Sequence, residues 1–158
     1  MTEITRLILS MACVIVGVVA AVIDVRSRRI PNTVSLLLLL LALPIALLAG
    51  GVGEVGSHLL HAVIALLAGM ALFSFGMIGG GDAKLYAASA LAFPLSQGFA
   101  LLGWTSLVGL TVLVAMMAYH RRLPLRKAGK SPFSVPYGVA IAGGMALAFG
   151  PQFMAVLP

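Results

Sequence analysis

Long stretches of this chain pass without a single acid or base. Residues 7–23, 33–49, 57–78, 99–119 and 136–157 contain no Asp, Glu, Lys or Arg. A helix needs about 20 apolar residues to cross the ~30 Å hydrocarbon core of a bilayer. With 61% hydrophobic and only 9% charged residues, a soluble domain of this size could not hide its apolar surface. The expectation is an all-α, polytopic membrane protein: one domain over residues 1–158, built as a bundle of six transmembrane helices. The fourth segment in chain order, residues 82–93, is the exception, because Asp82 and Lys84 stand in its first turn.

Polar punctuation separates the segments. Residues 24–32 form a charged turn ending in Pro31-Asn32, residues 50–56 a glycine-rich loop, Gly79-Gly80-Gly81 a break, residues 94–98 a turn and residues 120–132 the most charged loop. Pro44 is expected to kink the second span. The first segment has no small-residue cleavage site and reads as a retained helix. If the amino terminus is outside, Arg26, Arg28, Arg29, Lys84, Arg121, Arg122, Arg126, Lys127 and Lys130 are all inside. Only Arg6 is outside, and that asymmetry is the positive-inside pattern. The net charge of +6 therefore reads as orientation and contact with the lipid bilayer, not as a nucleic-acid face. The 120–132 cluster is expected to meet anionic lipid. Cys13 stands alone, which leaves no Cys-x-x-Cys metal site.

Against that background Asp24 and Asp82 stand out, since a carboxylate at membrane depth costs at least ~2.5–3.5 kcal/mol on insertion scales. Only Glu3 and Glu54 complete the four acids. The first span ends near Asp24 and the fourth begins near Asp82, so both aspartates are expected at one depth, close to the cytoplasmic face. Two carboxylates that meet share a proton. The ionised one takes a proton from water, which attacks a carbonyl; the protonated one donates to the oxygen or the leaving nitrogen. That chemistry needs no metal and no cofactor. Each aspartate also has an ordinary reading, Asp82 as a helix cap and Asp24 as a partner of Arg26 or Arg28. His58 and His61 fall on the outer side and read as packing or interfacial residues. Gly79, Gly80 and Gly81 either end the third helix or let an extended substrate approach.

Three motifs carry a resemblance: Asp24 with Arg26 and Ile30-Pro31-Asn32; then Gly79-Gly80-Gly81-Asp82-Ala83-Lys84-Leu85; then Pro136-Tyr137-Gly138-Val139-Ala140. In this order they resemble the intramembrane Gly-x-Gly-Asp aspartyl proteases, and specifically the type IV prepilin peptidases. The resemblance implies a bacterial inner-membrane enzyme in which Asp24 and Asp82 activate water. Its implied partners are prepilin or pseudopilin precursors, whose leaders are cut at the cytoplasmic surface. It also implies supporting or substrate-contacting roles for Gly79, Gly80, Gly81, Lys84, Pro136, Tyr137 and Gly138. Larger relatives carry an amino-terminal region with paired Cys-x-x-Cys motifs, associated with N-methylation. This sequence resembles the short branch that processes Flp-type pilins of tight-adherence systems, so methyl transfer is not expected. On residues alone, a small proton- or ion-coupled transporter subunit stays open, with the aspartates as carriers. So does a non-catalytic scaffold.

Overall fold

The computed structural model describes residues 2–121 and 136–155, and all of their regular structure is helical. The helices are α1 (Thr2–Ser27), α2 (Asn32–Leu47), α3 (Gly51–Ser74), α4 (Gly80–Ala90), α5 (Gly98–Arg121) and α6 (Tyr137–Met154), with a 3₁₀ turn at Leu95–Gln97 before α5. Of these, α1, α3 and the unit Leu95–Tyr119 are long and apolar enough to cross a membrane, while α2 is apolar but shorter. Ile8, Ile15, Leu36, Leu40, Leu67 and Val114 line an exposed apolar exterior. In water such a surface would aggregate; against lipid it is matched, as befits a membrane protein. The charged segment from Arg122 through Arg126, Lys127 and Lys130 lies outside the described residues, as does the side chain of Arg121.

Helix ends depart from the sequence expectation in instructive ways. The first helix does not stop at Asp24. Arg28 N–H donates to the Asp24 carbonyl at 2.8 Å, and Arg28 itself adopts a left-handed φ of 54° that ends the helix. Asp24 thus occupies the last turn. The glycine-rich stretch 50–56 is largely the start of α3, with the turn made by Gly50 and Gly51 at φ 97° and 64° and Glu54 in the first turn, where the helix dipole favours an acid. The glycine that terminates α3 is Gly76, at φ 71°, the usual left-handed residue past a helix end. Gly80 and Gly81 instead open α4.

The bundle is organised round α4. At 11 residues that helix is about 16 Å long, roughly half the thickness of a hydrocarbon core. Its Ala83, Leu85, Ala87, Ala88, Ser89 and Ala90 are buried, small enough for α2, α3 and α6 to close around it. A Cβ on Gly69 of α3 would sit 2.9 Å from the Ala83 Cβ. Beyond the last turn, the Nδ1 atoms of His58 and His61 meet the carbonyls of Leu91 at 2.8 Å and Phe93 at 3.0 Å. Two buried histidines therefore satisfy backbone oxygens that a helix end leaves open. Phe93 stacks on Phe149 of α6 with ring centroids 4.4 Å apart. In turn α6 packs along α1 and α5. The α5–α6 crossing is a backbone approach, since a Cβ on Gly144 would come within 2.6 Å of the Thr105 Cα; small residues permit such contact in membranes. The start of α5 meets α3 where Gly98 lies against the His61 ring, and farther along a cavity separates the two helices.

Candidate active site

Asp24 is 6% exposed, and its position is set by the start of α6. Gly138 N–H donates to Asp24 Oδ2 at 2.9 Å. As the second residue of α6, Gly138 has an amide with no acceptor inside its own helix, and a carboxylate at that end is favoured by the dipole. Only glycine allows the approach. A Cβ at position 138 would lie 2.9 Å from Asp24 Cβ, 3.1 Å from its Oδ2 and 3.4 Å from the Ala20 carbonyl. Pro136, buried, precedes the helix as its cap residue.

Asp82 is the third residue of α4, and its Oδ2 accepts the N–H of Gly79 at 3.1 Å, the acidic half of a capping box. A Cβ on Gly79 would fall 2.7 Å from that oxygen, so a larger residue there would shift the Asp82 carboxyl. The carboxyl borders a cavity of about 400 Å³ in the gap between α3 and α5, whose lining includes Tyr86, Ser106, Gly109 and Tyr137. The Tyr137 hydroxyl makes a long, 3.5 Å hydrogen bond to the Met77 carbonyl.

The first turn of α6 borders both acids. Gly138 holds Asp24, and the neighbouring Tyr137 shares the cavity with Asp82. A second link runs between motifs: a Cβ on Gly81 would lie 3.2 Å from both the Cβ and the carbonyl oxygen of Ile30, so the glycine run packs on the Ile30-Pro31-Asn32 turn. Gly80 faces the Phe73 ring. Lys84 is directed elsewhere. Its Nζ donates to Asn32 Oδ1 at 3.1 Å, on the opposite side of α4 from the cavity. Among the described residues, no three His, Cys, Asp or Glu side chains gather as metal ligands.

Several cavity residues escaped the sequence reading. Tyr86 follows Asp82 by four positions, and Leu102, Thr105, Ser106, Gly109 and Leu113 recur at helical spacing along α5. That periodicity was the available signal, but in an all-apolar helix it does not distinguish a cavity wall from a lipid face. Residues 11–114 match the type IV leader peptidase family. The matched region holds Asp24, Ile30-Pro31-Asn32 and Gly79 through Leu85, and ends before Pro136. Neither the curated proteins nor the solved structures yield a match.

Proposed function

The chain belongs to the type IV leader peptidase family, and from that premise we propose that it is an intramembrane aspartic endopeptidase. On this reading it removes the leader from Flp-type prepilins or pseudopilins at the cytoplasmic face of a bacterial inner membrane. The helical bundle sits in that membrane with the amino terminus outside, and the short α4 is enclosed by its longer neighbours. What supports the proposal is that both aspartates neighbour the first turn of α6, Asp24 through the Gly138 amide and Asp82 through the cavity it shares with Tyr137.

The chemistry follows from one shared proton. The ionised carboxylate takes a proton from a water, whose oxygen bonds to the carbonyl carbon of the scissile peptide. The protonated carboxyl gives its proton to the carbonyl oxygen, forming a neutral tetrahedral diol. Collapse of that diol re-forms the carbonyl, breaks the C–N bond and sends a proton to the leaving nitrogen. Backbone N–H groups of Gly138 and Gly79 each hold one carboxylate oxygen, leaving the acids oriented without a third side chain. The cavity between α3 and α5 offers the apolar part of the precursor a path to Asp82. Its small residues Ala65, Ala68, Gly69 and Gly109 allow a helix to come close.

A cleavage assay on a pilin precursor in liposomes, with Asp24→Asn and Asp82→Asn variants, tests the dyad. Each variant is expected to lose at least about 10²–10⁴-fold in rate while keeping wild-type helicity by circular dichroism. Undiminished cleavage by either variant would remove that aspartate from the mechanism.

A further inference from the structure

A second groove lies on the far side of α4, between α2 and α3, with a volume of about 460 Å³. Leu36, Leu39 and Leu43 of α2 and Leu59, Val63 and Leu66 of α3 line it. Its polar groups sit at one end: Lys84, Asn32 and Ser35. Ser35 is 7% exposed, and its hydroxyl is buried with no hydrogen-bond partner. An orphaned hydroxyl in an apolar setting is costly, and this one stands at the polar end of the groove. Pro31 caps α2 without a side-chain hydrogen bond; the Val34 N–H donates to the Pro31 carbonyl, and the amides of Asn32 and Thr33 precede any acceptor within their own helix. With Asn32 Oδ1 turned to Lys84, the Asn32 amide presents its N–H groups, and the ammonium has two N–H bonds left. The end of the groove is thus a cluster of donors carrying one positive charge, fitted to an anionic oxygen ligand.

The rest of the groove says what that anion is attached to. From Asn32 to Leu43 the wall runs about 16 Å along α2, aliphatic throughout. Branched side chains outnumber Ala62, Ala87 and Ala88 in the lining, whereas close approach of a docking helix favours small residues. A flexible hydrocarbon chain has no such requirement, and a free phosphate would have no use for the trough. We propose that this groove binds an anionic glycerophospholipid, its phosphate held by Lys84, Asn32 and Ser35 and one acyl chain laid between α2 and α3. Basic pockets between helices on the cytoplasmic side are suited to such headgroups. The inference rests on the membrane orientation proposed above, with Lys84 inside, and not on peptidase activity.

Native mass spectrometry of the full chain in detergent tests it, titrating phosphatidylglycerol and, separately, phosphatidylcholine. The wild type is expected to retain one phosphatidylglycerol at least about tenfold more tightly than phosphatidylcholine. Loss of one charge-assisted contact in Lys84→Met should weaken retention by about tenfold or more. Leu39→Trp, which fills the groove from a partly exposed wall position and leaves the polar end intact, should weaken it as well. Asp82→Asn, inactive as a peptidase on the reading above, should bind lipid as the wild type does, so the two proposals fail separately. Equal retention of both lipids, or unchanged retention in Lys84→Met and Leu39→Trp, would overturn the inference. Displacement of the lipid by a precursor peptide bearing an acidic residue would also overturn it, assigning the groove to substrate.

Discussion

At the scale of single residues, the site turns on Gly138 as much as on the acids. A methyl group there would press on Asp24 Cβ at 2.9 Å and push the carboxyl off the α6 amide. Displacing a catalytic group by about 1 Å can cost about 10²-fold. Gly138→Ala is therefore expected to cut kcat by about two orders of magnitude with little change in thermal unfolding. Equal activity in a stopped cleavage assay would show that the amide contact is dispensable. The two aspartates drew attention in the sequence because charge at membrane depth is costly and rare. The hydrogen bond from Gly138 was not, since a backbone donor has no side-chain signature; only the Pro136-Tyr137-Gly138 motif pointed there. Lys84 was legible as a motif residue, but its direction was not. Which side of a short buried helix faces the cavity depends on how α2, α3 and α6 pack around it.

At the scale of elements, α4 is the piece most exposed to failure. It is short, and its carboxyl end lies in apolar surroundings with His58 and His61 as backbone partners. Removing one donor leaves a buried carbonyl unsatisfied, at a cost of about 1–3 kcal/mol. His58→Ala is thus expected to lower stability in a reversible unfolding assay by that order. His58→Asn, whose amide can take the place of Nδ1, should recover part of it. Equal stability of all three proteins would mean that the contact contributes nothing net. The sequence placed these histidines away from the aspartates but offered no partner for them, because the partners are carbonyls of another helix. The loop expected over residues 50–56 failed for a related reason. Glycine lowers helix propensity by only about 1 kcal/mol, and the apolar run that follows outweighs it.

At the scale of the whole molecule, the charge asymmetry and the packing make separate claims that can be tested on one background. Cys13 is fully buried, so cysteines introduced at Thr2 and Ser27 should report the orientation of α1. An impermeant maleimide added outside intact cells is expected to label the first and spare the second; the reverse pattern would invert the proposed topology. The packing claim concerns the gap between α3 and α5. Helix α5 packs chiefly on α6, and the cavity between α3 and α5 is bordered by Asp82 and Tyr137. Ala68 lines it from an exposed face of α3, so a larger side chain there narrows the path without disturbing the core. Ala68→Trp is expected to lower kcat/KM for a membrane-embedded precursor by about tenfold or more. Cleavage of a short soluble peptide without an apolar segment should change little, because the carboxylates are untouched. Equal losses on both substrates would point to a disturbed dyad. No loss on the embedded precursor would mean that substrate reaches the aspartates by another side of the bundle.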